Sequence, residues 1–326
     1  MRALVTGATG CVGANIVEAL LAEGWEVRAL QRPTSSLQAL RGLEPEMVVG
    51  DILDYDSLLR AMAGCEWVFH AAAISQYWRS DMDLLYRVNV EGTRNVMRAA
   101  QEQGVERVIY TSSVAALGVA ESGTRIDETS TFNLPFDRFP YGHSKVLAEA
   151  EVQRAVRAGL DVVTVNPVTV IGQRDVGFVG GEFLRVACKG QAVVVPPGGV
   201  GIVSARRVGA GHLLAARQGG TGERYILNGE NVRYRRLMRV VARVVGVRPP
   251  RVTLPRPSMG LLAAVVDALN RARGGIPLID GNQVRLSARL LYYDGSKAQE
   301  ELGFSGGTLE EAVEEAWRWY QEEGLL

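Results

Sequence analysis

The sequence is poor in the residues that build metal centres and disulfide frameworks. Its 326 residues include three cysteines and three histidines. Cys11, Cys65 and Cys188 lie far apart in the chain, and an odd cysteine count is not typical of a disulfide-stapled protein. With so few candidate ligands, a zinc site built from histidine and cysteine is not expected. We therefore predict that the protein holds no metal ion.

An excess of charge of either sign is also missing. Lysine plus arginine and aspartate plus glutamate number 36 each. This balance argues against broad electrostatic attraction to nucleic acid or to anionic lipid. The longest apolar run near the C-terminal side, Met259 to Val266, is too short to span a bilayer. Because the first strand begins almost at Met1, no signal peptide is expected, and we predict a cytoplasmic protein with no nucleic-acid or membrane partner.

The first half of the chain alternates short apolar runs with helical patterns, which predicts parallel βαβ units and a doubly wound α/β sheet. Beyond Pro167 the rhythm changes, and we expect a smaller, partly helical C-terminal substrate lobe. We therefore divide the chain into residues 1–167 and 168–326, with a segment such as Glu223–Leu227 returning to the main sheet. The predicted strands are Arg2–Thr6, Glu26–Leu30, Met47–Val49, Trp67–His70, Arg107–Thr111 and Asp161–Asn166. The predicted helices are Val12–Glu23, Asp56–Met62, Leu84–Gln103, Tyr141–Ala158, Arg235–Val245, Ser258–Ala272, Gly295–Leu302 and Leu309–Glu322.

A glycine turn joins the first strand to the first helix, with Gly7, Gly10 and Gly13 three residues apart. Gly7 can take a positive φ, Gly10 lets the backbone approach a phosphate, and Gly13 lets the helix pack close to the strand. The helix N-terminus then offers free N–H groups and its positive dipole end. A strand–helix turn without a ligand is the alternative. The position of the turn in a βαβ unit predicts a nicotinamide dinucleotide whose pyrophosphate lies on it.

The end of the second strand selects between the two nicotinamide dinucleotides. An acidic residue there would accept hydrogen bonds from the ribose of NAD, but this chain has Gln31 and Arg32. A guanidinium can pair with a 2′-phosphate through two parallel hydrogen bonds. We therefore predict a preference for NADP, with NAD also possible. The alternative is that Arg32 is a solvated loop cation.

A tyrosine and a lysine stand four residues apart at the start of the fourth predicted helix. Tyr141 and Lys145 share one helix face, so the cation should favour the phenolate and lower the pKa of the phenol. Tyr141 is then a candidate general acid or base. The run Thr111, Ser112, Ser113 ends the fifth strand, where ligands bind in open α/β sheets. A serine hydroxyl there could hydrogen-bond the reacting oxygen.

These motifs together resemble the extended class of short-chain dehydrogenases/reductases, also called the NAD-dependent epimerase/dehydratase family. Within it the chain looks most similar to dihydroflavonol-reductase-like proteins and hopanoid-associated sugar epimerases. The resemblance covers nearly the whole chain and implies a Rossmann domain for dinucleotide binding. The other matching stretches are 27–35, 50–52, 70–73, 89–93, 166–167, 293–298 and 301–304.

The resemblance implies catalytic roles for four residues. Tyr141 would move a proton to or from the substrate oxygen, and Lys145 would hold the nicotinamide ribose. Ser113 aligns with the catalytic serine, and Asn89 with a residue that fixes the local backbone and relays a proton. For Asn89, a structural amide on a helix is the alternative.

The resemblance also implies contacts with the dinucleotide. Asp51 and Ile52 would flank the adenine, Ala71–Ala73 would follow the ribose and pyrophosphate, and Pro167 would lie near the carboxamide. For Asp51, a turn-forming role is the alternative. The expected cofactor-binding set is Thr6, Gly7, Thr9, Gly10, Cys11, Val12, Gly13, Gln31, Arg32, Asp51, Ile52, Ala71, Ala72, Ala73, Thr111, Tyr141, Lys145 and Pro167.

The chain departs from this family at Arg206 and Arg207, where relatives usually carry carboxylates. An anionic substrate group bound by these arginines is one hypothesis, and a solvent-facing pair is the other. His143 lies between Tyr141 and Lys145 but points away from their shared face, so we expect a structural role. His212 is expected to pack within a helix or to cap one.

Two enzyme functions fit the motifs. One is an NADP-dependent reductase acting on a carbonyl or, in reverse, on a secondary alcohol. The other is a nucleotide-sugar epimerase with tightly bound cofactor; dehydration is disfavoured because Val114 rather than an acidic residue follows Ser113. A catalytically silent dinucleotide sensor is the third hypothesis, although both Tyr141 and Lys145 are present.

The substrate is a small molecule whose pocket we expect from 74–81, 121–138 and the second lobe. Trp78 and Phe132 are candidate lining residues. The resemblance also implies a homodimer through a four-helix bundle made from Leu84–Gln103 and Tyr141–Ala158 of each subunit.

Overall fold

A parallel sheet of seven strands forms the centre of the computed structural model, which describes residues 1–76, 80–120, 124–273 and 280–326. The strands within the described residues are β1 (Arg2–Thr6), β2 (Glu26–Gln31), β3 (Glu46–Val49), β4 (Trp67–His70), β5 (Arg107–Thr111), β6 (Val162–Pro167), β7 (Thr169–Ile171), β8 (Val194–Val195), β9 (Gly199–Ser204), β10 (Arg224–Leu227), β11 (Glu230–Arg233), β12 (Val252–Thr253) and β13 (Leu290–Leu291).

The helices cover both faces of this sheet and much of the second half of the chain. They are α1 (Cys11–Ala22), α2 (Tyr55–Met62), α3 (Met82–Tyr86), α4 (Gly92–Glu102), α5 (Pro140–Arg157), α6 (Glu182–Cys188), α7 (Ala205–Gln218), α8 (Tyr234–Val245), α9 (Ser258–Arg273), α10 (Gly281–Leu286), α11 (Ser296–Leu302) and α12 (Leu309–Glu322). None of them, among the residues described, is long and apolar enough to cross a membrane.

The strand order β10-β6-β5-β4-β1-β2-β3 makes the sheet doubly wound, because the chain moves outward from β1 in both directions. Apolar residues of α1, α7 and α11 form the core on one face, and those of α2, α4 and α5 form the core on the other. The central strands β1, β4, β5 and β6 are buried on both sides, which explains why their sequences are largely apolar runs, whereas the edge strand β3 is mostly exposed. The predicted α/β fold is confirmed. Its crossover point, between β1 and β4, opens a crevice at the carboxyl ends of the strands.

Beyond Pro167 the chain divides its elements between the main sheet and a smaller lobe. Strand β10 pairs in parallel with β6, with Arg224 opposite Thr164, and α7 packs against α1. The lobe contains a second sheet, in which β9 pairs with β7, β11 and β13. It also has a core of its own that joins α6, α8 and α12. The two halves are therefore interleaved in space.

Helix α7 does not stand out in the sequence, because two glycines inside it weaken the helical pattern. Gly209 and Gly211 lie inside it, and a helical glycine costs about 1 kcal/mol relative to alanine. A Cβ at position 209 would come within 2.2 Å of the carbonyl oxygen of Asn15 in α1. The glycine is therefore needed for the close approach of the two helices, which a pattern read along one helix does not reveal.

The single helix predicted over Leu84–Gln103 is interrupted by a wider turn. Residues Arg87–Glu91 adopt a π-helix between α3 and α4. Such widened turns are common at functional sites. Here the turn contains the buried side chain of Asn89.

Candidate active site

A cleft of about 620 Å³ lies along the carboxyl edge of the main sheet, between the glycine turn and the start of α5. Most of the residues predicted from the motifs meet in it. The predicted residues that line it are Gly7, Gly10, Cys11, Val12, Gly13, Ala71, Ala73, Thr111, Ser113, Tyr141, Lys145 and Pro167. The predicted residues outside this lining are Thr6, Thr9, Gln31, Arg32, Asp51, Ile52, Ala72 and Asn89.

The glycine turn has the geometry that a phosphate cradle requires. Gly7 has φ +69°, and a Cβ at Gly13 would lie 2.1 Å from the carbonyl oxygen of Gly7. A Cβ at Gly10 would meet that oxygen at 3.4 Å and would otherwise enter the cleft. Gly10 caps α1 without a side-chain hydrogen bond, so the first N–H groups of the helix remain available to an anion. These residues fit a pyrophosphate.

The end of β2 leaves Arg32 exposed beside the half-buried Gln31. Its backbone N–H donates to Ser35 Oγ at 3.3 Å, and its carbonyl accepts from the Ser35 N–H at 3.0 Å. Within the described ranges no ion pair engages the guanidinium, so it is free to meet an anion. Exposure alone equally fits the solvated cation.

At the end of β3, Asp51 forms the turn that leads into α2. Its Oδ1 accepts a hydrogen bond from the Leu53 N–H at 2.9 Å. The neighbouring Ile52 is buried, and it packs so closely on Gly92 that a Cβ at that position would meet Ile52 Cδ1 at 2.5 Å. Both residues therefore have structural roles in the turn and in the packing of α4.

A buried hydrogen-bond chain runs from β1 to the π-helix. Thr93 Oγ1 donates to the carbonyl of Asn89 at 2.7 Å, so it accepts from His70 Nε2 at 3.0 Å. His70 Nδ1 is then unprotonated and accepts from Thr6 Oγ1 at 2.7 Å. Burial, together with the nearby charge of Lys145, lowers the pKa of His70 to about 3. These hydrogen bonds hold a neutral imidazole, and Thr6 Oγ1 also accepts from the Ala72 N–H at 3.4 Å.

The side chain of Asn89 forms hydrogen bonds with both the loop after β4 and α5, and so connects them. Its Oδ1 accepts from the Ile74 N–H at 2.8 Å, and its Nδ2 donates to the Ile74 carbonyl at 3.0 Å and to Ser144 Oγ at 2.9 Å. Ser144 Oγ in turn donates to the Tyr141 carbonyl at 2.7 Å. Asn89 therefore positions the backbone of the residue that carries the phenol.

Tyr141 and Ser113 come together across the cleft, as the motifs predicted. Ser113 is held by the 3₁₀ turn Val114–Leu117, because its Oγ accepts from the Ala115 N–H at 3.1 Å. Burial raises the pKa of Tyr141, and a side-chain hydrogen bond with Ser113 opposes that rise. The expected lowering by Lys145 is wrong for this structure, since desolvation of the phenol dominates.

Lys145 is buried at the start of α5. Its Nζ donates to the Thr111 carbonyl at 2.8 Å and to the Tyr110 hydroxyl at 3.3 Å, and it lies 4.9 Å from the centre of the Tyr110 ring. Burial lowers the pKa of Lys145 to about 8, against the opposing charge of Glu149. The cation is therefore directed toward the end of β5.

A buried polar cluster behind the site was missed by the sequence analysis. The Glu149 carboxylate accepts hydrogen bonds from Ser112 Oγ, from Asn166 Nδ2 at 2.9 Å and from Arg224 Nη1 at 3.1 Å. Asn166 Nδ2 also donates to the Ser113 carbonyl at 3.0 Å. Glu149 lies four residues after Lys145 on the same face of α5, and that spacing was the available signal. The cluster ties α5 to β5, β6 and β10.

Beyond Tyr141 the lining of the cleft becomes apolar. Phe132 lines it as predicted, whereas Trp78 lies outside the described residues. His143 contributes no group to the cleft: it stacks on Phe136 with ring centres 4.2 Å apart and shares a hydrogen bond with the Tyr86 hydroxyl. The apolar lining residues are Val119, Phe132, Leu134, Phe139, Val168, Val170, Val179, Val200, Leu286 and Leu291.

The positions of Arg206 and Arg207 fit the solvent-facing pair better than contact with an anionic substrate group. Both are exposed at the start of α7, and neither is among the residues that line the cleft. Arg206 Nε pairs with Glu315 of α12 at 3.4 Å, and its Nη2 donates to Gln173 Oε1 at 3.1 Å. Because these arginines follow the buried strand β9 at a helix N-terminus, the chain turns their side chains outward.

His212 packs within α7, as expected. Its Nδ1 donates to the Val208 carbonyl at 2.7 Å, so its Nε2 accepts from Thr111 Oγ1 at 2.8 Å. Burial lowers the pKa of His212 to about 4. Over the ranges that the structure describes, no group of three or more His, Cys, Asp or Glu side chains is placed to hold a metal ion.

Comparison with known proteins agrees with this geometry. The chain is 39% identical over 329 residues to a Synechocystis sp. protein described as "Putative dihydroflavonol 4-reductase", covering 99% of this chain and 95% of that protein. It is 35% identical over 331 residues to the sterol demethylase protein B of Methylococcus capsulatus, covering 100% of both. The crystal structure of a nucleoside-diphosphate-sugar epimerase from Pseudomonas aeruginosa superposes with a TM-score of 0.82 at 27% identity, over 100% of this chain and 99% of that one.

The family model of the NAD dependent epimerase/dehydratase family matches residues 3–201, which include the glycine turn, Ser113, Tyr141 and Lys145. The resemblance read from the motifs is therefore confirmed. The chain is an enzyme of the NAD dependent epimerase/dehydratase family.

Proposed function

We propose that the enzyme is an NADP-preferring reductase of a bulky, apolar ketone or aldehyde, with alcohol oxidation as the reverse reaction. The composition of the cleft carries this proposal. Among the described residues that line it, Lys145 is the one cation and Asp175 the one carboxylate, while apolar side chains cover most of the substrate half. A nucleotide sugar would bring a diphosphate, which calls for cationic donors. An apolar ring system would gain free energy by leaving water here.

The names of two relatives support a bulky substrate that contains rings. One is named for a dihydroflavonol and the other for a sterol, and both kinds of molecule carry several rings. The epimerase alternative draws support from the nucleoside-diphosphate-sugar epimerase that shares the fold. The lack of arginine among the described lining residues favours the reductase.

The catalytic roles follow from the positions of the side chains. When bound, the dinucleotide supplies the hydride that reduces the carbonyl carbon. Tyr141 donates its phenolic proton to the carbonyl oxygen, and the raised pKa of Tyr141 suits this role because the acid must be protonated at neutral pH. Ser113 hydrogen-bonds the same oxygen. Lys145 would hold the nicotinamide ribose, with Asn89 positioning the backbone of the helix that carries Tyr141.

We infer the path of the dinucleotide from the residues that line the same cleft. The pyrophosphate would lie on the N-terminus of α1 at Gly10, Cys11 and Val12, with Thr9 beside it. Ala71 and Ala73 would contact the ribose, with Ala72 supporting Gly7, whose added Cβ would lie 2.6 Å from the Ala72 nitrogen. Pro167 and Thr111 would enclose the nicotinamide end. Asp51 and Ile52 would border the adenine.

Preference for NADP is assigned to Arg32. We expect kcat/KM to be higher with NADPH than with NADH, and Arg32→Asp to reverse the order by removing the partner of the 2′-phosphate. Arg41→Asp, near Arg32 in the chain but already paired with Glu323, is the matched control. Equal efficiency with both dinucleotides, or an Arg32→Asp variant with unchanged NADPH affinity, would contradict the assignment.

The reductase proposal is tested by following NADPH oxidation with a panel of apolar ring ketones, small aldehydes and nucleotide sugars. We expect turnover with the ring ketones, and a loss of about 100-fold or more in Tyr141→Phe with dinucleotide binding retained. Epimerised nucleotide sugar without net NADPH consumption would support the epimerase instead. If Tyr141→Phe has no effect on any activity found, Tyr141 is not catalytic, and the hypothesis of a catalytically silent dinucleotide sensor is supported.

The dimer is also a proposal. Met82, Leu84 and Leu147 are exposed apolar residues on α3 and α5. Burying them against the same helices of a second copy would form the expected four-helix bundle. We place the enzyme in the cytoplasm, and we keep the division at residues 1–167 and 168–326 as a proposal about folding units.

A further inference from the structure

Helix α9 exposes a continuous apolar face. Leu261, Val265 and Leu269 follow one another at intervals of four residues, and their exposed fractions are 72%, 45% and 46%. Ala264, Ala268 and Ala272 are exposed beside them. On the opposite side, Met259 and Ala263 are buried against Val284 of α10. The helix thus has a packed inner face and an apolar outer face.

Arginines border this outer face. In a helix, position 271 falls on one edge of the stripe formed by 261, 265 and 269, and position 273 falls on the other. Arg248, Arg251 and Arg256 are exposed in the segment that leads into the helix. The segment 247–273 therefore contains five arginines and one acidic residue, Asp267, in a chain whose formal net charge is +0.

The acidic groups around α9 are engaged on its inner side. Asp267 accepts from the Gly281 N–H at 2.8 Å and pairs with Arg285 at 3.3 Å. Asp280, at the start of α10, accepts from the Gln283 N–H at 2.7 Å. These carboxylates face the α9–α10 contact, so the positive charge dominates at the outer border.

We propose that α9 docks the enzyme on the surface of an anionic lipid bilayer, lying in the plane of the interface. An apolar helix face with basic residues along its edges matches such a surface, because the apolar side chains enter the acyl boundary while the arginines meet the headgroups. A second copy of the chain fits less well, since a twofold contact through this face would bring arginine borders of the same sign together. Surface docking requires no helix that crosses the membrane. It replaces the expectation of no membrane partner, because that expectation used the net charge of the whole chain and not the local excess of arginine around α9.

The inner side of the docking helix lies next to the substrate half of the cleft. Helix α9 packs on α10, and Gln283 and Leu286 of α10 line the cleft. A substrate dissolved in the bilayer would then reach the enzyme on the side where the lining is apolar. The docking itself does not depend on the identity of that substrate.

The test is co-sedimentation of the full chain with vesicles of phosphatidylcholine, with or without phosphatidylglycerol. We expect binding to the vesicles that contain phosphatidylglycerol and its reduction by salt. The triple variant Leu261→Glu/Val265→Glu/Leu269→Glu should bind at least about ten-fold more weakly, because carboxylates replace the inserted side chains. Arg271→Ala/Arg273→Ala should lose the preference for phosphatidylglycerol. Met47→Glu, which changes an exposed apolar residue on β3, should bind like the unaltered chain.

Light scattering and thermal unfolding complete the test. The triple variant should keep the oligomeric mass and melting temperature of the unaltered chain, since all three positions are exposed. The proposal is overturned if the unaltered chain stays in the supernatant at low salt. It is also overturned if the triple variant binds vesicles equally well, or if its oligomeric mass falls, since the face would then be an interface between copies.

Discussion

The Lys145 ammonium donates a hydrogen bond to the carbonyl oxygen of Thr111, with Nζ and O 2.8 Å apart. This bond joins the helix that carries Tyr141 to the strand that precedes Ser113. Burial lowers the pKa of Lys145 to about 8. The lysine therefore carries its charge below that pH and loses it as the pH rises.

We expect kcat/KM for carbonyl reduction to be flat below about pH 8 and to fall above it, because the uncharged amine holds the ribose less well. Lys145→Arg keeps the charge at all accessible pH values, so its profile should lack this fall even if its rate is lower. Profiles measured between about pH 6 and pH 10 check the prediction. An alkaline fall with the same midpoint in Lys145→Arg would show that another group titrates.

Two glycines of the same turn should respond differently to alanine. At Gly13 the new Cβ would lie 2.1 Å from a backbone oxygen, so Gly13→Ala should lower the free energy of unfolding by at least about 2 kcal/mol. Gly10 has φ −97° and space for a Cβ on the cleft side. The free energy of unfolding of Gly10→Ala should therefore lie within about 1 kcal/mol of that of the unaltered chain. Urea unfolding measures both values.

Gly10→Ala should nevertheless weaken dinucleotide binding at least about ten-fold, because its methyl group takes the place of the pyrophosphate. Calorimetric titration with NADPH gives the affinity. If the Gly10→Ala variant folds and binds NADPH normally, the pyrophosphate does not lie on this turn.

The Glu149–Arg224 pair should stabilise the fold, because Arg224 compensates the charge of the largely buried Glu149 carboxylate. Their side chains are 13% and 27% exposed, and the carboxylate also accepts from Ser112 and Asn166. Arg224→Met should cost about 2 to 4 kcal/mol, since it leaves a carboxylate without its cation. Adding Glu149→Gln should recover part of this loss. If the two losses simply add in denaturant unfolding, the residues are not coupled.

The buried histidines predict a loss of stability on mild acidification. The pKa values of His70 and His212 are about 3 and about 4, below the value of about 6.5 in an unfolded chain. Their contribution is therefore complete above about pH 6.5, and it declines as the pH falls because the unfolded state gains protons first. Each should add a slope of up to about 1.4 kcal/mol per pH unit.

The window from about pH 6.5 to pH 5 isolates this effect, since ordinary carboxylates remain ionised there. His212→Gln should show a shallower fall in the free energy of unfolding than the unaltered chain. His143→Gln changes a half-buried histidine and should alter the slope less. Equal slopes in all three proteins would mean that His212 is protonated in the folded state.

The parts of this molecule that could be predicted from the sequence are those that depend on residues close together in the chain. The strand Arg2–Thr6 and the helix Leu309–Glu322 have the predicted bounds because apolar spacing sets them. Ser113, Tyr141 and Lys145 were found because each stands at a strand end or at helical spacing. The parts that were missed depend on distant residues. Glu149 meets Arg224 across 75 positions, and Gly209 of α7 is explained by the contact of that helix with α1.

The most direct test of the reductase proposal is transfer of deuterium from NADPH labelled at the nicotinamide C4 to a bulky apolar ketone. We predict that the label reaches the carbinol carbon of the alcohol product, from one face of the nicotinamide, in a reaction that Tyr141→Phe slows by about 100-fold or more. Label that stays on the dinucleotide while a substrate stereocentre inverts would contradict it and identify an epimerase.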